Sequence, residues 1–117
     1  MKRSTAILCA SLFFNISAVK ADVTFDSDIS GIFKAKCSQC HGGLIPQGGL
    51  KLNSLKNIKK GGKSGNVIIP GNAESSLMVQ QFYLPKTNPK RMPPMGAPEL
   101  TEPEITKIRA WIDGGAK

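Results

Sequence analysis

The residues with the clearest chemical potential lie in one short segment, Cys37-Ser38-Gln39-Cys40-His41. Two cysteines three positions apart lie on the same side of a helical turn, so both thiols can add to the two vinyl groups of one haem. The histidine that follows is then placed so that its imidazole can bind the iron. The segment therefore predicts one covalent haem c per chain, held by Cys37 and Cys40, with His41 as the proximal iron ligand.

Other uses of a paired-cysteine segment fit the sequence less well. A thiol–disulfide redox pair prefers a βαβ context with an exposed dithiol, and it would leave His41 without a role. A structural zinc site needs four ligands. A chain that begins after residue 21 contains two cysteines and one histidine, so the fourth ligand would have to be a carboxylate. Haem attachment is thus the interpretation that the residue types favour.

The first 21 residues have the layout of a secretory signal peptide. Lys2 and Arg3 form a positively charged start, and residues 5–19 form an almost uncharged apolar run. This run is shorter than the roughly 20 residues that a membrane-spanning helix needs. We expect cleavage after Ala21, which leaves residues 22–117 as one domain in the periplasm or otherwise exported.

The exported domain is small and has few residues with which to build a core. Its aromatic residues are few, and its two cysteines are too close in sequence to form a disulfide that spans the fold. Exported domains of this size usually need a covalent cross-link or a bound cofactor in addition to their side-chain core. A buried and covalently attached haem would supply this stabilisation.

Basic residues outnumber acidic ones, and their distribution is uneven. Removal of residues 1–21 leaves 13 basic and 8 acidic side chains, a formal charge of +5. Seven lysines and no acid lie between Asp28 and Glu74. This stretch is either a solvated face or a docking surface for an acidic redox protein or an anionic membrane. We expect no small-molecule substrate and no nucleic acid, since no aromatic residue that would stack on bases is interleaved with the lysines from Lys34 to Lys63.

The hydrophobic pattern predicts an all-α domain of about three to four helices with long loops. A first helix is expected over residues 29–40, capped by one of residues 26–28. Residues 42–73 are rich in glycine, with one short helix at 54–59 and a weak strand signal at 67–69.

Two further helices are expected in the second half of the chain. Residues 72–84 have helical spacing of apolar residues and end before a proline. The last helix has the clearest boundaries, because Thr101 and Glu104 form a capping box and Gly114 follows its apolar face.

The sixth iron ligand is less closely defined by residue types. His41 is the only histidine, so a second imidazole from the same chain is excluded. Methionine sulfur is the other common partner in cytochromes c. Met78 lies on a helical stripe and is expected in the core, whereas Met92 and Met95 lie in a proline-rich loop suited to holding a side chain over a haem face. The residues favour one of these two over an open iron site.

These segments together resemble the c-type cytochromes, and most closely the planctomycete-type cytochrome c domain. The resemblance implies a cytochrome-c-like fold in which the first and last helices cross near the haem edge. It also implies that Met92, followed by two prolines, is the distal ligand and Met95 the runner-up. The matching segments span about 29–117; they are residues 37–43, 48–54, 61–65, 69–77, 92–94 and 100–116.

A chain of this kind is expected to carry single electrons, freely or as the haem subunit of an oxidoreductase, and not to be an enzyme itself. A haem enzyme or gas sensor with an open iron is the alternative. Water would be kept from the iron by an apolar shell, which we expect to consist of Ile32, Phe33, Leu50, Leu52, Ile105, Ile108 and Trp111.

Overall fold

The structure is a computed structural model in which residues 22–117 are described. Its regular structure is helical, and within these residues there is no strand, only an isolated bridge between Gly62 and Gly65. This confirms the predicted all-α class. The predicted signal peptide, residues 1–21, lies outside the described residues. The α-helices are α1 (Ser30–Lys36), α2 (Ser38–His41), α3 (Leu55–Lys60), α4 (Leu77–Phe82) and α5 (Glu102–Asp113).

The N-terminal helical segment begins one turn earlier than predicted. A π-helical turn, Phe25–Ile29, leads directly into α1. Its cap is Thr24, whose Oγ1 accepts a hydrogen bond from the N–H of Ser27 at 3.3 Å. The carboxylate of Asp28 accepts in return from the N–H of Thr24 at 2.9 Å. The prediction of a cap within residues 26–28 was wrong, because this reciprocal pair satisfies the first free amides one turn upstream.

Helix α4 is shorter than the predicted 72–84. The side chain of Ser76 is fully buried and makes two backbone contacts before the helix begins. Its Oγ donates to the carbonyl of Asn72 at 2.8 Å and accepts from the N–H of Ile69 at 2.8 Å. A serine bonded in this way offers the backbone an alternative to helix, so residues 72–76 form turns and helix begins only at residue 77.

The expected elements at 54–59 and 67–69 have different outcomes. A short helix is present as α3, and Ser54 caps it by accepting from the N–H of Asn57 at 3.1 Å. The weak strand signal was wrong, since residues 67–69 form no strand. Val67 and Ile68 are nevertheless buried, which explains their apolar character.

The core joins the N-terminal helical segment to α5 through three aromatic rings. The ring centroids of Phe25 and Phe33 lie 6.3 Å apart, and those of Phe33 and Trp111 lie 6.1 Å apart at 81°. The indole N–H of Trp111 donates to the backbone oxygen of Lys117 at 3.0 Å. Such aromatic pairs contribute about 0.5–1.5 kcal/mol each beyond their buried area. The first and last helical segments are thus packed together, as the resemblance implied.

Helix α5 also fixes the loop that precedes α4. The N–H of Gly71 donates to the carbonyl of Ile112 at 2.7 Å, and the N–H of Ala73 donates to the carboxylate of Asp113 at 2.8 Å. The capping box predicted at the start of α5 is confirmed. Thr101 Oγ1 accepts from the N–H of Glu104 at 3.3 Å, and the Glu104 carboxylate accepts from the N–H of Thr101 at 2.9 Å.

Substitution of Thr101 tests this cap. Thr101→Ala leaves the N–H of Glu104 without its partner and should lower the free energy of unfolding by about 1 kcal/mol. Thr106→Ala is the matched control, because Thr106 is exposed inside the same helix and alanine has the higher helix propensity. Urea unfolding followed by circular dichroism measures both. Equal losses in the two variants would contradict a capping role.

The glycine at position 61 is required by geometry. Gly61 follows α3 with φ of 75°, and a Cβ there would collide with the carbonyl of Gly65. Gly61→Ala should therefore lower the free energy of unfolding by more than about 1 kcal/mol. Gly31→Ala, in α1 with open space around the new methyl group, should raise it by up to about 1 kcal/mol. Thermal unfolding of the two variants checks the opposite signs, and a neutral Gly61→Ala would contradict the collision.

Candidate haem-binding site

One cleft contains both cysteines and the histidine of the motif. Its walls come from α1 and α2, the loop that contains Leu50 and Leu52, α4, and the proline-rich loop around Met92. It holds about 1100 Å³ of empty space, part of it open to solvent. Its walls are mostly apolar, which suits a large, flat and largely apolar group.

The helix break at Cys37 positions the motif. Cys37 has φ of −127° and ψ of −24°, outside the helical range, and it separates α1 from α2. Its carbonyl accepts from the N–H of His41 at 3.0 Å, which closes the new turn. As a result Cys37, Cys40 and His41 all line the cleft. The predicted single helix over residues 29–40 was therefore wrong at Cys37. Cys37 and Cys40 nevertheless face the same cleft, as their spacing indicated.

The ring of His41 is oriented by a backbone carbonyl. Its Nδ1 lies 3.1 Å from the carbonyl oxygen of Leu50. A carbonyl oxygen only accepts, so this contact places the proton on Nδ1 and leaves the Nε2 lone pair free to bind a metal. The backbone of His41 is held as well, since its carbonyl accepts from the N–H of Leu52 at 2.8 Å.

The protein environment keeps the thiol of Cys37 protonated when no cofactor is attached. Burial raises the pKa of Cys37 to about 11, with smaller contributions from the negative charges of Glu104 and Cys40. A redox-active or metal-binding cysteine instead has a lowered pKa. Within residues 22–117, no group of three or more His, Cys, Asp and Glu side chains is placed to hold a metal ion.

Of the two methionines proposed for the distal side, the structure brings one to the cleft. Met92 lines the cleft, and its N–H donates to the carbonyl of Gln81 in α4 at 3.2 Å. Met95 does not line it, and its side chain is 74% exposed. Met78 is buried, as expected, but it too lines the cleft. The sequence interpretation of Met78 as a core residue missed this second contact.

Ionic contacts fix the loop on both sides of Met92. The guanidinium of Arg91 donates to the carbonyl of Pro93 at 3.2 Å and lies 3.8 Å from the carboxylate of Glu99. Lys86 also binds Glu99 at 2.9 Å. The hydrogen bond and charge of Lys86, with a smaller contribution from Arg91, hold the pKa of Glu99 below its usual value. These contacts fix the loop on both sides of Met92.

The apolar shell expected around the cofactor was only partly right. Phe33, Leu50 and Leu52 line the cleft. Ile105, Ile108 and Trp111 do not, because α5 buries them in the core; Ile32 packs against that core and does not line the cleft either. The other apolar wall residues come from the loop before α4, from α4 itself and from the proline-rich loop after it. They are Val67, Leu77, Met78, Phe82, Pro93, Pro94, Ala97 and Pro98. The helical stripe of α4 was the available signal for the missed residues.

The residues present fit a covalently attached haem. The cleft brings together two thiols, an imidazole with a free Nε2 and the thioethers of Met78 and Met92 against mostly apolar walls. Thiols, imidazole and thioether are the groups that hold and ligate haem c. A tetrahedral metal site would need a fourth strong ligand that this donor set lacks.

Comparisons with known proteins agree with this geometry. A family model for planctomycete cytochrome C matches residues 37–96, just over half of the chain. Among solved structures, hydrazine synthase of Kuenenia stuttgartiensis is similar, with a TM-score of 0.50 and 31% identity. The match covers 80% of this chain but only 16% of that one. Comparison with curated proteins gave no match. The chain therefore belongs to the planctomycete cytochrome c family, the family of small c-type cytochrome domains to which its haem motif and its cleft both point.

Proposed function

We propose that this chain is an exported monohaem cytochrome that transfers single electrons, with His41 and Met92 as the axial iron ligands. The observation that supports the proposal most directly is that Cys37, Cys40, His41 and Met92 all line one mostly apolar cleft. These four residues come from two distant parts of the sequence. They line a common space whose mostly apolar walls suit haem.

Each residue has a distinct task in this proposal. Haem c, when bound, supplies an iron that changes between its ferric and ferrous states by one electron. His41 binds through Nε2, and the hydrogen bond from Nδ1 to the Leu50 carbonyl fixes the orientation and tautomer of the ring. Met92 supplies a soft sulfur that raises the reduction potential. The apolar walls limit access of water, and no substrate bond is broken, so the role is that of a carrier rather than an enzyme.

The proposal covers both a free carrier and a haem-bearing subunit of an oxidoreductase. The similar solved structure is named as a synthase, and this chain matches only 16% of it. A domain of this kind therefore also occurs as a part of a larger protein. In either setting the partner is a redox protein, and the excess of basic side chains favours an acidic partner over a neutral one.

The proposed location is the periplasm or another exported compartment. The supporting observation is the signal-peptide pattern of residues 1–21. Separately, no helix in residues 22–117 has the length and apolar character needed to cross a membrane.

The intact mass of the exported protein tests cleavage and attachment together. Protein made with a working haem-ligation system should have the mass of residues 22–117 plus one haem, because two thioether bonds survive denaturation. Cys37→Ala and Cys40→Ala should each keep one bond, and the double variant should lose haem on denaturing electrophoresis. A mass equal to the bare polypeptide, with both thiols free to alkylation, would contradict the proposal.

Substitution of the methionines tests the distal ligand. Met92→Ala should convert the reduced spectrum from six-coordinate to five-coordinate and permit rapid carbon monoxide binding. It should also lower the midpoint potential by on the order of 0.1 V, within the roughly 0.8 V range that axial ligands span. Met95→Ala and Met78→Leu are the matched controls and should keep the parent spectrum.

The alternative outcomes of this experiment are distinct. A changed spectrum in Met95→Ala alone would assign the sixth position to Met95. A parent protein that is already high-spin and binds carbon monoxide readily, with Met92→Ala unchanged, would indicate an open iron and hence a haem enzyme or gas sensor.

A further inference from the structure

Two large apolar side chains next to the haem motif are almost completely exposed. The exposed fractions are 95% for Leu44 and 93% for Ile45. They follow His41 by three and four residues. Isolated apolar residues are ordinary on a protein surface, but adjacent ones of this size and exposure are typical of an interaction site. Because they bury almost no apolar surface in the folded chain, they add little to its stability. Contact with a partner protein would bury them.

The exposed pair lies beside the rim of the cleft. The chain turns directly after it, where the N–H of Gly49 donates to the carbonyl of Pro46 at 3.1 Å. The next contact joins this turn to the lysine-rich segment, because the N–H of Lys63 donates to the carbonyl of Gly48 at 2.8 Å. Gly48 and Ser64 both line the cleft. The apolar pair precedes Gly48 by only three and four residues, and Lys63 is directly followed by Ser64, so the pair and the end of the lysine-rich segment lie next to the cleft.

These lysines are not used inside the described part of the chain. The basic residues in its ion pairs are Lys36, Lys86, Arg91 and Arg109. The segment 51–63 contributes five lysines and no acid; they are Lys51, Lys56, Lys59, Lys60 and Lys63. Their uncompensated positive charge attracts an acidic surface and speeds encounter with it.

We propose that Leu44 and Ile45, together with the lysines of residues 51–63, form the docking surface for the acidic face of a protein electron-transfer partner. The proposal rests on the proposed function, and it locates the face through which the electron passes. Apolar contact combined with surrounding charge is the composition of a protein–protein interface. A membrane surface is the less suitable occupant, since interfacial binding normally uses an amphipathic helix with a broad apolar face, whereas here two side chains of a loop provide the apolar contact.

The experiment measures electron transfer from an acidic protein to the haem-loaded, full exported chain. The probe is flavodoxin hydroquinone, which loses one electron and becomes the semiquinone as one ferric haem becomes ferrous. Stopped-flow absorbance gives the second-order rate constant over a series of salt concentrations. Reduction by dithionite and the optical spectrum of each variant report separately on the haem itself. A parent protein without a haem spectrum would count against the proposed function and not against this surface.

Paired variants separate apolar contact from charge. Leu44→Ser/Ile45→Ser changes no charge and should lower the rate constant about fivefold at every salt concentration. Its control, Ile69→Ser, alters another exposed apolar residue, 46% exposed and outside the cleft, and should change the rate less than about twofold. Lys60→Glu/Lys63→Glu should lower the rate about tenfold at low salt and flatten the salt dependence. Its control, Lys107→Glu/Lys117→Glu, makes the same charge change at two exposed lysines, one in α5 and one after it. This control should lower the rate constant less than about threefold.

Three results would overturn the proposal. The first is an unchanged rate in Leu44→Ser/Ile45→Ser, and the second is an equal loss in the two charge-reversal variants, since either would indicate general attraction without a defined surface. The third is the membrane outcome. In that case Lys60→Glu/Lys63→Glu would abolish co-sedimentation with phosphatidylglycerol vesicles at 0.15 M salt, roughly physiological ionic strength, and would leave the flavodoxin rate unaltered.

Discussion

The hydrogen bond between His41 and the carbonyl of Leu50 is the constraint on which the site depends. The turn of α2 fixes the backbone of His41, but its ring can still rotate. The 3.1 Å contact at Nδ1 removes that freedom and selects the tautomer that presents Nε2 to the cleft. The chain must therefore return to His41 within nine residues, which explains the tight turn at Gly48 and Gly49, where φ is 63° and 67°.

The distal wall depends on a separate set of contacts. Helix α4 is joined to the loop before it by the hydrogen bond from the N–H of Met78 to the carbonyl of Val67 at 2.9 Å. It then holds Met92 through the carbonyl of Gln81. Lys36, one residue before the first cysteine, connects this wall to the proximal one, because its ammonium group donates to the carbonyl of Glu99 at 2.7 Å. The two faces of the cleft are thus held in register by polar contacts with exposed or partly exposed residues.

The sequence predicted the parts of the fold that local chemistry determines. The helix at Thr101 could be predicted because a capping box is a local arrangement of side chain and backbone. The break at Cys37 could not be predicted, since residues 32–41 contain no glycine or proline that would mark it. Helix α4 was predicted too long because one of the two backbone hydrogen bonds of Ser76 involves Ile69, seven residues away, a partner that periodicity does not reveal.

The same distinction applies to the site. The donor residues follow from the motif and from the scarcity of histidine and methionine, whereas the wall residues depend on which face of each helix meets the cleft. Apolar periodicity gives the buried face of α5 correctly, and Trp111 is fully buried. It does not say whether that face meets the cofactor or another helix. In this fold α5 packs on Phe25 and Phe33, and α4 supplies the wall in its place.

The distribution of charge has a structural reason as well. Most acids of the described chain are engaged in contacts that shape the fold, so their positions are fixed by architecture. Asp28 and Glu104 complete helix caps, Asp113 holds a loop amide, and Glu74 binds Arg109 at 2.7 Å. An exposed ion pair of this kind adds little stability by itself. The lysines of residues 51–63 have no such structural task. In the proposed function, positive charge there would disfavour the ferric state and would raise the potential in the same direction as a methionine ligand.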